Sequence, residues 1–461
     1  MSPTLALLLC IGFVAFLLGL ERKQSRNLSG ALWIPTLWIL YCSSRPIGAW
    51  VGGVGDIEEG SAIDRWFQLT LMLLSTAVVW RRGYDWRSAL RNNTWLVIAL
   101  GYAAISILWS DDIFVSLKRW TRMGGSIIVA MVVASEPAWR QGLESVLRRM
   151  VYILIPFSLL VIKYYPNFGV DYNQWSGERM WVGVTTQKNG LGRLCMISAF
   201  FLVWAFIKRH FSKAWPRPAA ENVAEGILLG MTLFLLKGPP KDYSATSTAV
   251  LFLGVILLLV LKPKFDSSRL NPRFTFAILL GALAIGVALP FVGTGGVAEF
   301  TGLLARDSTF TGRTEIWDEL VRIGSSHPIL GVGYGSFWIH PPLRFTINES
   351  HNGYLEVFLE LGIVGLILLL GILISFWFRA SAALRTQFEI GAFAICFLLM
   401  AAFHNITEAS FLRSTSHIWT MLVFLMVCIA RLEDDSKRSL RRRKMLPHVE
   451  ETQCGAGLSR G

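Results

Sequence analysis

Residues 353–378 read GYLEVFLELGIVGLILLLGILISFWF. From Leu361 onward the stretch carries no charge. As a helix rising about 1.5 Å per residue, it is long enough to cross a hydrocarbon core of about 30 Å. Similar apolar runs recur near 4–20, 29–44, 64–80, 94–109, 119–134, 148–164, 188–207, 224–237, 246–262, 274–292, 388–405 and 415–431. Those near 119–134 and 224–237 are the weakest. In lipid every backbone polar group needs an internal partner, so spans of this kind must be helices. The expected fold is all-α: a polytopic integral membrane protein with a bundle of about 12–13 transmembrane helices.

Composition agrees. Of 461 residues 53% are hydrophobic and 16% charged, against about 25% charged in soluble domains. The first run has almost no positive charge before it and no small-residue cleavage site, so it reads as a retained helix. Residues 1–431 form the expected membrane domain, with a large outer loop at 293–350, and residues 432–461 a basic tail.

Lysine and arginine give the orientation. Loops near 21–29, 81–93, 136–149, 208–222, 261–273 and 379–387, with the tail, hold about 28 of these residues, and the opposite loops about 14. The first set is therefore expected in the cytoplasm, together with Arg441, Arg442, Arg443 and Lys444. The N-terminus, the acidic Asp56-Ile57-Glu58-Glu59 and loop 293–350 are expected outside. The net charge of +13 is then topological signal and contact with anionic headgroups, and calls for no nucleic-acid partner. Cys10, Cys42, Cys195, Cys396 and Cys428 lie in or beside apolar runs, and Cys454 is in the tail. None forms a C-x-x-C pair, so no metal or redox site is implied.

Arginines that break the charge pattern carry more information. Arg119 and Arg122, in Ser-Leu-Lys-Arg-Trp-Thr-Arg at 116–122, share a helix face. Lys188 and Arg193 open the seventh run. Arg306 and Arg313 lie in the large loop. Arginine is costly within a membrane, and its planar fork suits phosphate oxygens. The structural alternative is snorkelling to headgroups or ion pairing inside the bundle. For Arg193 alone the two readings are evenly matched; three clusters converging on one site favour function.

His351 sits where the outer loop enters the 353–378 run, in Glu-Ser-His-Asn-Gly-Tyr-Leu-Glu at 349–356. A lone histidine there is more often a cap than a catalyst. It titrates near neutral pH, as a general base should, and shares a side with the anomalous arginines. Glu356 and Glu360 follow at about 140° and 180° of helical phase from it. They are expected to face packed protein as structural residues. Gly331-Val-Gly-Tyr-Gly-Ser336 lacks the G-K-[ST] of a phosphate loop and reads as a turn. His327, His340 and His351 lack zinc-ligand spacing. No D-x-D pair for a metal-bound nucleotide sugar appears in an outer loop.

Several segments together resemble the O-antigen ligase and polymerase superfamily of bacterial envelopes. They are Gly312-Arg-Thr-Glu-Ile-Trp317, His327-Pro-Ile-Leu-Gly-Val-Gly333, Ser350-His-Asn-Gly-Tyr-Leu-Glu356 and Gly362-Ile-Val-Gly365. Trp109-Ser-Asp111, Ser116-Leu-Lys-Arg-Trp120, Lys188-Asn-Gly-Leu-Gly192 and Asn405-Ile-Thr-Glu408 are similar to its exopolysaccharide polymerization branch. The resemblance covers residues from about 45 to 425, with a ligase-like core near 188–405. It does not separate ligase from polymerase.

The resemblance implies a GT-C-like glycosyltransferase of the bacterial inner membrane whose site faces the periplasm. The donor would be a glycan on undecaprenyl pyrophosphate. The acceptor would be another glycan or lipid A-core, with polysaccharide export and chain-length proteins as partners. Transfer would be inverting, without metal or cofactor. A histidine and an arginine of the large loop would be catalytic, here His351 and Arg313, while Arg193, Arg119, Arg122 and Lys188 would bind pyrophosphate. Phe310, Trp317, Tyr334, Phe337 and Trp338 would stack on sugar or anchor at the interface, anchoring being favoured for any one of them. The competing class is a lipid-linked oligosaccharide transporter. It would need no motif-bearing outer loop, and its central cavity would open alternately to both sides.

Overall fold

The computed structural model describes residues 1–52, 60–172, 177–211, 219–239, 243–261, 272–292, 311–339 and 349–445. Its main helices are α1 (Pro3–Gln24), α2 (Trp33–Cys42), α3 (Ala62–Arg81), α4 (Thr94–Ser106), α5 (Ile113–Ala134), α6 (Trp139–Tyr164) and α7 (Lys188–Phe211). They continue with α8 (Ala219–Lys237), α9 (Ala245–Leu261), α10 (Pro272–Ala288), α11 (Thr311–Gly324), α12 (Gly353–Thr386), α13 (Phe388–His404) and α14 (His417–Met445). Every apolar run predicted to span falls on one of these. Among the described residues the strands are a small hairpin, β1 (Val170–Tyr172) with β2 (Arg179–Trp181).

The protein is an all-α polytopic membrane protein. Among the described residues, six helices (α1, α3, α6, α7, α12, and α10 with its short extension to Phe291) are long and apolar enough to cross a membrane, and α2, α4, α9 and α13 are shorter apolar helices. Burial separates centre from periphery. In α6 and α7, 83% and 78% of the apolar window is inside the protein, against 22% in α1. The outer helices carry exposed Leu73, Trp80 and Leu108, which suits a lipid-facing surface.

Two ends of the bundle are distinguishable. At one, the Tyr165 hydroxyl donates to the Pro3 carbonyl at 3.2 Å, putting the N-terminus beside a predicted outer loop. At the other, Ser88 and Asn92 donate to Asp434 at 2.8 and 3.0 Å, and Arg82 pairs with Glu136. All belong to segments predicted to be cytoplasmic. Buried arginines there are held in ion pairs: Arg149 with Glu21 at 3.1 Å, Arg148 with Glu225 at 3.1 Å, and Arg209 with Glu225. These contacts join segments that the charge pattern assigns to the same side.

The structure adjusts two boundaries. α14 runs unbroken past residue 431, so the tail begins as helix. The large loop contains α11. Its segments 293–310 and 340–348, with Arg306, Phe310 and His340, lie outside the described residues, as do Asp56–Glu59 and Cys454.

α12 is broken near its start. Gly362 has φ 64° and ψ −162°, a conformation that a side chain opposes. The interrupted turn is completed by the loop after α11. Val332 and Gly333 donate to the Leu359 and Glu360 carbonyls at 3.3 and 2.9 Å, and Ile363 and Val364 to those of Pro328 and Ile329 at 2.9 and 3.3 Å. Tyr102 adds its hydroxyl to the Leu330 and Leu361 carbonyls. The glycine-rich 331–335 segment is therefore a turn, as its sequence suggests. It docks on the break and carries Tyr334, Gly335 and Trp338 to the site.

Candidate functional site

A cavity of about 210 Å³ opens at the end of the bundle formed by the predicted outer segments. Arg119 and Arg122 of α5, Arg193 of α7 and Arg413 from the α13–α14 connection line it. Glu349, Glu356 and Glu360 stand among them, with Tyr41, Tyr334, Trp338 and the hydroxyl-rich 414–416 segment. α5 is started by Asp112, whose carboxylate accepts from the Val115 amide at 2.9 Å. About two and three turns later, Arg119 and Arg122 emerge on the cavity face. Arg119 donates to the Gly335 carbonyl, and Arg122 to Gln68 at 3.0 Å.

His351 lies just behind the Glu349 wall. Its φ of 52° is left-handed, uncommon for a residue with a side chain. The neighbours fix it there. Trp317 donates to the Ser350 carbonyl at 2.8 Å. Asn352 caps α12 by accepting from the Tyr354 and Leu355 amides, and its own amide donates to Gly286 and Ile406 carbonyls. His351 Nδ1 is 3.1 Å from Glu349 Oε1. The other Glu349 oxygen accepts from Arg413 at 3.0 Å, and Arg413 Nε is 3.9 Å from Glu356. Burial alone would lower the His351 pKa, but the Glu349 carboxylate, with Glu408 further off, holds it above its ordinary value. Burial would raise Glu349, but His351, Arg413 and Arg193 hold it well below the usual carboxylate range.

Arg313 projects from α11 to the α13–α14 connection. It donates to the Thr407 carbonyl at 2.6 Å and pairs with Glu408 at 3.2 Å. Arg193 is 3.9 Å from the same carboxylate, and Asn189 donates to it at 2.8 Å. Burial and the charge of Glu349 raise the Glu408 pKa, with the arginines opposing. Glu349, His351 and Glu408 bring potential ligand atoms within 4.8 Å of one another, a spacing a cation could use. Guanidinium groups already sit at 3.0 and 3.2 Å on the two carboxylates, so the donor set is arranged as an ion-pair network and fits a divalent ion poorly.

The predicted residues thus gather at one end, in two layers. Arg119, Arg122 and Arg193 line the cavity; His351 and Arg313 stand behind it, reached through Glu349 and Glu408. Lys188 is half-buried at the start of α7 and does not line it. The expectation of interfacial aromatics is corrected: Trp317, Tyr334, Phe337 and Trp338 are buried, and of these Tyr334 and Trp338 line the cavity. Glu356 has the packed partners expected, accepting from Trp338 at 2.6 Å and the Ser350 amide at 3.2 Å, yet it and Glu360 also reach the cavity. Sequence reasoning missed Arg413 and gave Glu349 no role. Arg413 is itself a charge in a predicted outer connection, the same signal that marked Arg119.

Two comparisons with known proteins bear on this site. A family model described as O-antigen ligase matches residues 242–370, which include Arg313, Glu349 and His351. The exopolysaccharide production protein ExoQ of Rhizobium meliloti (strain 1021) is 25% identical over 318 residues, spanning 66% of this chain and 69% of that protein. Both bear out the resemblance drawn from the sequence motifs.

Proposed function

On the premise that this chain is of the O-antigen ligase and polymerase type, acting in polysaccharide biosynthesis, we propose that it moves a glycan from undecaprenyl pyrophosphate to a sugar acceptor on the periplasmic side of the inner membrane. Transfer inverts the anomeric centre and needs no metal. The observation that carries this reading is the arginine-lined cavity at the end built from predicted outer segments, with His351 one contact behind its wall. Lipid pyrophosphate is already a good leaving group. The enzyme must neutralise the charge that develops on it and remove the acceptor's hydroxyl proton. Arg193, Arg119 and Arg122 serve the first task as preorganised donors, with Arg313 joining when donor displaces its contact with Glu408. His351 serves the second. Tyr334 and Trp338 offer aromatic wall for sugar.

The similarity to ExoQ, an exopolysaccharide production protein, favours an exopolysaccharide product over ligation to lipid A-core. Lipid-linked glycans and lipopolysaccharide extracted from a deletion strain test this. Single repeat units accumulating on undecaprenol support a polymerase, and long chains stranded there support a ligase. Units trapped on the cytoplasmic face, with the periplasmic pool depleted, would support a transporter and contradict the proposal.

A further inference from the structure

We propose that Glu349 is a positioning residue for His351, held in place by Arg413, and that the three form a hydrogen-bonded chain behind the cavity wall. The proposal rests on the reading of His351 as the general base and adds what makes it one.

His351 Nδ1 and Glu349 Oε1 are both sealed from solvent and have no other hydrogen-bond partner among the described residues. They face each other at 3.1 Å. Buried polar atoms are costly unless paired, and a proton on Nδ1 satisfies both. That tautomer leaves Nε2 as the basic nitrogen. The carboxylate has little freedom to turn away. Its second oxygen is taken by Arg413 at 3.0 Å, and Arg413 is braced by Glu356 at 3.9 Å. Glu356 is in turn fixed by Trp338 and by the amide of Ser350, next to the histidine. The left-handed backbone at His351 costs on the order of 1–3 kcal/mol and persists only where surroundings over-determine it. Here Ser350 and Asn352 hold it from both sides. A residue that merely capped the helix would need none of this, because Asn352 already performs the capping.

In the step itself the acceptor O–H bond breaks and Nε2–H forms. The acceptor oxygen bonds to the anomeric carbon as that carbon's bond to pyrophosphate breaks, and the lipid pyrophosphate leaves with the electron pair. The imidazolium formed is stabilised by Glu349, which stays ionised throughout.

The test uses purified full-length protein. Modification of His351 by diethyl pyrocarbonate, followed by mass spectrometry across pH, reports its titration independently of transfer. Glu349→Gln should lower the His351 midpoint by about one unit or more, the range expected when an opposite charge within about 4–6 Å is removed. The acidic limb of the transfer rate should move with it, while KM for donor stays constant and kcat falls. Glu349→Asp keeps the charge but shortens the reach. It should leave the midpoint near that of the wild type and still lower kcat, and it stands in should the glutamine variant fail to fold. An unchanged His351 midpoint in Glu349→Gln would overturn the positioning role of Glu349 while leaving the proposed transfer intact. Full transfer by His351→Ala would overturn both.

Discussion

Gly362→Ala probes whether the break in α12 positions the site. A Cβ at this residue would lie 2.2 Å from the Ile329 carbonyl oxygen and 2.4 Å from its carbon. These are backbone atoms, so no side chain can swing aside. The φ of 64° adds strain of roughly 1–3 kcal/mol for any residue but glycine. Relief requires the 328–333 loop to retreat. That puts at risk the four main-chain hydrogen bonds joining it to residues 359–364, each worth about 1 kcal/mol net. The combined loss is about 3 kcal/mol or more, a large part of a typical stability of about 5–15 kcal/mol. If the loop moves without unfolding, Tyr334, Gly335 and Trp338 shift with it, and a displacement of about 1 Å at a site can cost about 100-fold in rate. Gly281→Ala in α10 is the control, since nothing lies within 4 Å of its added carbon. Thermal melts in detergent and transfer assays should show Gly362→Ala impaired in one or both and Gly281→Ala near wild type. Equal melting and equal transfer by both variants would refute the argument.

Other outcomes follow from the same structure. A cysteine at exposed Ser325 should react with a membrane-impermeant thiol reagent in cells with a permeable outer membrane, and Cys454 in the tail should not; the reverse pattern would invert the topology. Purified enzyme should retain transfer in EDTA, because guanidinium groups already occupy the carboxylates of the Glu349–His351–Glu408 cluster; loss restored by magnesium or manganese would make that cluster a metal site. Neutral imidazole is the base, so the rate should rise with pH through a midpoint above the ordinary 6.5. The same raised pKa gives a stability contribution complete below 6.5 and lost as pH climbs through that midpoint; a rate independent of pH across this window would count against His351.

The fold was legible because lipid leaves few choices. A span must be long, apolar and helical, and each apolar run became a helix. Lysine and arginine sorted the connections into two sets, and contacts such as Ser88 and Asn92 with Asp434 join segments of the same set. Helix α11 hid in a segment too polar to register as a span. The break at Gly362 was also hidden, because hydropathy averages over a left-handed turn inside an apolar run. Arg119, Arg122 and Arg193 announced themselves by being charged in the wrong place. Glu349 did not, because a carboxylate in an outer loop is ordinary until its partner is known. That partner, Arg413, is 64 residues away, and Glu408 is 95 residues from Arg313. Nothing local in the chain encodes such pairings. Helical phase puts Glu356 among packed groups, as its contacts with Trp338 and Ser350 show, but phase carries no information about the cavity it also lines.

The most direct test of the central claim is transfer by purified His351→Ala protein, supplied with an undecaprenyl-pyrophosphate-linked glycan and an acceptor, beside wild type and Arg313→Lys. A general base contributes about 100- to 10,000-fold. His351→Ala should therefore lose transfer by that factor while melting like a folded protein and binding donor normally. Arg313→Lys should weaken donor binding, because a point charge cannot reproduce the planar fork. Near-normal transfer by well-folded His351→Ala protein would contradict the account.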